Sequence, residues 1–156
     1  MGTDDDLACK YLLEQQAQTQ ALQLLPSTGV GIGVDIEMLE DINIENETFI
    51  ERNYTEREIA YCQRQPNPHA SFTGRWCAKE AVVKAVSNLH LQREKVWVRG
   101  SAAPLIDIEI VIAESGAPEV VLHGEVEEAA EKAGVQHVKV SISHIDTYAI
   151  ATAISY

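Results

Sequence analysis

Between Arg75 and Ser87 the chain has no Gly and no Pro, and Ala, Lys, Glu and Val fill most of the stretch. That composition favours one uninterrupted helix. Asn67 and Pro68 suit its N-cap and first position, and it is expected to run to about Asn88. Trp76, Glu80 and Lys84 recur every four residues and share one face. Ala81, Val82, Ala85, Val86 and Leu89 give the other faces enough apolar surface to bury the helix. A carboxylate on such a helix needs a partner, and two readings are open. Lys84, one turn on, offers an intrahelical ion pair. Alternatively, Glu80 faces a second acidic cluster and the two hold a cation.

An acidic cluster lies upstream, in Gly29-Val30-Gly31-Ile32-Gly33-Val34-Asp35-Ile36-Glu37. The apolar residues alternate, which is the period of a strand. Asp35 and Glu37 are two apart and project from the same strand face. Two neighbouring carboxylates repel unless a cation or base sits between them. A polar strand end on a solvated face is the alternative. The Gly29-x-Gly31-x-Gly33 spacing points to a phosphate loop, but a strand continues where a helix should open and no Lys-Ser/Thr follows.

Taken together, Gly33-Val34-Asp35-Ile36-Glu37 and Trp76-Cys77-Ala78-Lys79-Glu80-Ala81-Val82-Val83-Lys84-Ala85 resemble the two signature segments of the 4′-phosphopantetheinyl transferases. Gly116-Ala117-Pro118-Glu119-Val120 and Ser141-Ile142-Ser143-His144 are similar to two further segments of the small, holo-acyl-carrier-protein-synthase type. The resemblance covers roughly residues 30 to 156. Within the family the chain resembles the transferase domain at the C-terminal end of a fungal fatty acid synthase α subunit. Glu37 follows Asp35 by two residues, as in the larger two-lobed type; the small bacterial type spaces the pair by three.

The resemblance implies transfer of the phosphopantetheine arm of coenzyme A to a serine of an acyl carrier protein, with release of adenosine 3′,5′-bisphosphate. It implies Mg²⁺ held by Asp35 and Glu80, with Glu37 as a third carboxylate. Glu80 or a metal-bound water would take the serine proton. Lys84 would neutralise bridging phosphates and orient Glu80. Arg75 and Lys79 are candidates for the coenzyme's phosphates by charge and position; a surface role for them is equally open. The family places His144, after Ser143, near the coenzyme's 3′-phosphate end. Gly116 and Pro118 would shape a turn lining the nucleotide pocket. Trp76 reads as packing, since aromatics at helical spacing usually are core. The small type works as a homotrimer with coenzyme A between subunits, and the same is expected here.

A net charge of −12 argues against nucleic acid or an anionic membrane as partner. A coenzyme A site must then draw on local charge, and 6 of the 12 Lys and Arg lie between Arg52 and Lys84. Cys9, Cys62 and Cys77 are odd in number and lack metal-ligand spacing. With no apolar secretory segment seen, a reducing, cytoplasmic setting is expected. The apolar runs are too short to span a bilayer.

Residues 1–28 read as a linker or docking helix, and 29–156 as the transferase domain. Thr55-Glu56-Arg57-Glu58 is a capping box. Strands are expected at 104–113, 119–123, 138–143 and 148–154, with a helix from Glu125 to Ala133 ending at Gly134. The order is α+β: the transferase fold, a small antiparallel sheet packed against a long central helix. Two other functions compete: a metal-dependent nucleotide phosphohydrolase, and a non-catalytic acidic assembly domain of a multienzyme whose carboxylates are solvated.

Overall fold

The structure, a computed structural model, describes residues 29–89 and 103–156. The expected docking helix over 1–28 and Cys9 lie outside the described residues. Five strands and four α-helices follow in order: β1 (Gly31–Met38), α1 (Glu47–Asn53), α2 (Glu56–Gln63), α3 (Pro68–Leu89), β2 (Ile108–Ile112), β3 (Pro118–Leu122), α4 (Gly124–Ala133), β4 (Val138–His144) and β5 (Tyr148–Ser155). Short 3-10 turns span Leu39–Asp41 and Leu105–Asp107.

The helix ends follow their local chemistry. Asn46 accepts from the Phe49 amide and starts α1. The expected capping box is present, Thr55 and Glu58 each accepting from the other's backbone amide. Asn67 Oδ1 accepts from the Ala70 amide at 3.0 Å and opens α3. Gly134, at φ 78°, closes α4 in the left-handed region. The strand expected from 104 begins later. The Asp107 carboxylate accepts from the Glu125 amide at 3.0 Å, so the 3-10 turn holds the start of α4 instead of extending the ladder.

The α+β expectation holds, with one refinement: the strands make two antiparallel sheets, β1-β5-β4 and β2-β3. A groove lined by Val120, Leu122, Val135 and Val138 lies where β3, α4 and the start of β4 meet. Helix α3 is the centre. Cys77, Ala78, Ala81, Val82, Ala85 and Val86 on it are buried against Ile108 and Ile110 of β2 and Ala149, Ala151 and Ala153 of β5.

The face that β1 turns to the core is the reverse of what an apolar count suggests. Gly31 and Gly33 face α3, and Asp35 and Glu37 continue the same row. Ile32, Val34 and Ile36 point outward and stay about half exposed. Strand β5 repeats the pattern, small Ala residues inward and Tyr148, Ile150 and Ile154 outward. A Cβ on Gly33 would run into the Ala81 carbonyl, and one on Gly31 into the Ala85 carbonyl. The glycine spacing therefore serves close strand–helix approach. Gly33→Ala should destabilise the domain by more than ~2 kcal/mol, read as a lower urea midpoint at unchanged slope; an unchanged midpoint would contradict this packing.

Candidate active site

Because β1 lies so close to α3, its two carboxylates come near enough to Glu80 to act on its charge. Asp35 is the centre of the cluster. Lys84 Nζ donates to Asp35 Oδ1 at 2.8 Å and to the Val34 carbonyl at 2.9 Å. The other oxygen, Asp35 Oδ2, is buried with no hydrogen-bond partner. Burial raises the Glu80 carboxyl above its ordinary range, and the nearby Asp35 and Glu37 charges add to this against the pull of Lys84. Glu37 is also raised, by burial, Asp35 and Asp41, while an indole hydrogen bond from Trp76 and the Lys84 charge oppose it.

These observations decide between the readings of the two segments. The Asp35 side chain is 12% exposed, so a solvated polar strand end is excluded. Lys84 crosses to the strand instead of closing a helical pair with Glu80, so it positions Asp35 and not, as expected, Glu80. Trp76 packs on Phe49, centroids 5.2 Å apart, and its indole lies close enough to Glu37 to lower that carboxyl's pKa, so packing is only part of its role. The Cys77 thiol lies beneath the cluster and bonds to the Ala149 carbonyl. Burial and the Asp35 and Glu37 charges push it up to about 12, so the metal-free thiol stays protonated.

Among the described residues, no group of three or more His, Cys, Asp or Glu is placed so as to hold a metal ion on its own. What the cluster offers is a set of hard carboxylate oxygens, one of them buried and unpartnered. That donor set fits Mg²⁺, which is commonly held by one or two carboxylates and completes its shell with phosphate oxygens and water.

A cavity of about 370 Å³ opens over the N-terminal half of α3, lined among others by Tyr61, Ser71, Arg75, Pro118, Ile142 and His144. Arg75 is 5% exposed, yet its Nε and Nη2 have no partner. A buried guanidinium with two free donors needs an anion, which fits the phosphate role expected of it. His144 and Pro118 join it as anticipated. Ser143 does not line the cavity: alternation along β4 turns Ile142 and His144 one way and Ser143 the other. Gly116 also does not line it. At φ 84° it shapes the β2–β3 turn, where its amide donates to the Ala113 carbonyl.

Lys79 does not serve as a phosphate ligand. It is fully buried, and its ammonium donates to Glu58 at 2.7 Å, the Asn53 carbonyl at 2.6 Å and the Leu105 carbonyl at 3.1 Å. An ammonium has three donors, and all are used. Tyr61 and Ser71 are cavity residues that the sequence did not single out. Ser71 stands one turn before Arg75, a spacing that could have flagged it. Nothing local to Tyr61 places it there.

Comparisons with known proteins place the domain as a whole. Fatty acid synthase subunit alpha of Candida albicans is 51% identical over 140 residues, covering 90% of this chain, and that of Schizosaccharomyces pombe is 52% identical over 132 residues, covering 85%. The chain spans about 7% of the length of these relatives. Among solved structures, the Chronobacterium ammoniagenes ACPS–CoA complex superposes with TM-score 0.68 at 26% identity, covering 81% of this chain and 96% of that one. Holo-[acyl-carrier-protein] synthase from Neisseria meningitidis gives TM-score 0.67 at 27% identity, covering 81% and 97%. The sequence model of the 4′-phosphopantetheinyl transferase superfamily runs over residues 31–153, from the first glycine of β1 to the last buried alanine of β5, and the chain belongs to that superfamily.

Proposed function

We propose that this chain transfers the 4′-phosphopantetheine group of coenzyme A to a serine of an acyl carrier protein, as the 29–156 transferase domain of a cytoplasmic fatty acid synthase, with 1–28 as linker or docking helix. One observation supports it above the rest. The unpartnered Asp35 Oδ2 belongs to a cluster with Glu80, whose pKa is raised and which stands on the same helix as a buried guanidinium with two unpartnered donor atoms. The first feature calls for a cation and the second for an anion, as a metal-assisted reaction of a pyrophosphate does.

The roles follow from placement. Asp35, Glu80 and Glu37 would hold Mg²⁺, which supplies charge neutralisation at the reacting phosphate. Lys84 fixes Asp35 and, with its side chain 48% exposed, brings its own charge to an approaching pyrophosphate. Glu80, half-buried in the cluster, or a water held by the metal would take the serine proton. Arg75 lies five residues before Glu80, about 7.5 Å along the axis, too far to share its group. It therefore takes the remaining anionic group of the coenzyme, the 3′-phosphate, beside His144.

Self-association belongs to this reading. Ile32, Ile36, Ile150 and Ile154 form an exposed apolar sheet face, and among the described residues β1 is an edge strand of its sheet. Such a face is characteristic of an interface, and we assign it to a homotrimer.

Three outcomes check the proposal. Incubating an apo carrier protein with coenzyme A and Mg²⁺ should add the mass of phosphopantetheine, and Glu80→Ala should abolish the gain; no gain on a matched carrier overturns the transferase. The raised Glu80 pKa means that its ionised form is disfavoured by folding, so stability is lost as pH rises from its ordinary value through the folded one. Without divalent ions, Glu80→Gln should melt roughly 1–2 °C above the parent at neutral pH, the gap closing below about pH 4. Mg²⁺ should then stabilise the parent more than the variant. Sedimentation should give three chains per particle, reduced to one by Ile36→Asp with Ile150→Asp; a parent monomer that binds coenzyme A tightly would contradict the trimer.

A further inference from the structure

The anion site in the cavity depends on how one guanidinium is held. The Arg75 Cζ lies 4.2 Å from the centre of the Tyr61 ring. Its Nη1 donates to Ser71 Oγ at 3.1 Å, with a longer contact of 3.5 Å to the Ser71 carbonyl. The ring covers one face and the serine takes one corner. Nε and Nη2 are left, both buried and unpartnered. Those two atoms form the edge with which a guanidinium grips a phosphate through two parallel hydrogen bonds.

A guanidinium free to rotate would not present that edge consistently. The Tyr61 ring is held in place by packing against the core cluster of Ile50, Tyr54, Cys62 and Phe72. Tyr61 is on α2 and Ser71 on α3, and both line the same cavity as Arg75. The aromatic face contacts the cation, so the ring does the holding and the phenol hydroxyl is not required. Ser71 also donates its own proton, to Cys62 Sγ at 3.3 Å, which leaves its oxygen turned toward Arg75 as an acceptor.

We propose that Tyr61, with Ser71, is a specificity-determining positioning residue: it aims the Arg75 fork so that the enzyme selects a coenzyme carrying a phosphomonoester at its nucleotide end over one that lacks it. This rests on the reading that the cavity receives the nucleotide end of coenzyme A. Without the clamp, the charge of Arg75 remains, but the paired hydrogen bonds to a phosphomonoester are lost. General electrostatic attraction for the coenzyme therefore survives, and the discrimination does not.

The test is calorimetric binding of coenzyme A and 3′-dephospho-coenzyme A, with Mg²⁺, to the full chain and its variants. The parent should prefer coenzyme A. Tyr61→Leu should weaken coenzyme A about 10- to 30-fold, the span of a buried cation–π contact, and leave dephospho-coenzyme A nearly unchanged. Tyr61→Phe should keep the parent's preference. Ser71→Ala should reduce the preference in the same direction by less, which provides a second measure if the leucine variant folds poorly. Equal weakening of both ligands by Tyr61→Leu and Ser71→Ala, or no change in either, would overturn the proposal. A parent that binds both ligands equally would instead sink the assignment of the cavity to the 3′-phosphate, and the proposal with it.

Discussion

Two glycines let the backbone of β1 lie against the carbonyls of α3 with no side chain between them. That approach carries Asp35 and Glu37, further along the strand, to the carboxylate of Glu80. Any side chain at 31 or 33 would lift the strand away and separate the acids. The inward alanines of β5 act in the same sense, keeping the middle strand as close as its neighbour. What the domain gives up is bulk inside the sheet. Its large apolar side chains stand on the outer face instead, where only another surface can bury them. The same packing choice that assembles the acidic cluster thus leaves the domain with a face suited to self-association.

The cluster is electrostatically unfavourable on its own. Asp35 spends one oxygen on Lys84 and leaves the other without a partner, while Glu80 and Glu37 both carry raised pKa values. Interiors rarely keep a buried polar atom unsatisfied without a reason, and stored repulsion of this kind is relieved by a cation. A chain with net charge −12 can then meet a polyanionic coenzyme. Its long-range field is unhelpful, but in the proposed reaction a bound cation, Lys84 and the buried Arg75 would act at contact distance, where local charge dominates over screened distant charge.

Much of this was legible in the residues. The long helix, the capping box, the Gly134 stop and the alternating strands appear because each follows from interactions within a few residues. Asp35 and Glu80 were legible as a pair only through their motifs. Three features were not readable for one common reason: they depend on partners far along the chain. Which face of β1 is buried is decided by α3, about fifty residues on, so the apolar row was free to face outward. Tyr61 enters the cavity only because α2 folds onto α3. Lys79 looks like a phosphate ligand by charge and spacing, but its partner Glu58 lies 21 residues earlier.

That buried pair also explains how the two halves of the site keep their alignment. Glu58 accepts from Lys79, from the Thr55 amide through the capping box, and from the Ile110 amide at 3.0 Å. One carboxylate thereby ties the start of α2 to the middle of α3 and to β2. Burial pulls the Lys79 pKa down and Glu58 opposes it. A buried pair of this kind adds little net stability over an apolar substitute, but losing one partner leaves an uncompensated charge that costs ~3–5 kcal/mol. What it contributes is geometric definition. Tyr61 lies one turn beyond Glu58 on α2, and Arg75 one turn before Lys79 on α3. Fixing Glu58 to Lys79 therefore sets the ring of Tyr61 against the guanidinium of Arg75. Lys79 thus bears on the cavity through the helix it anchors, and its own ammonium stays buried on Glu58, Asn53 and Leu105.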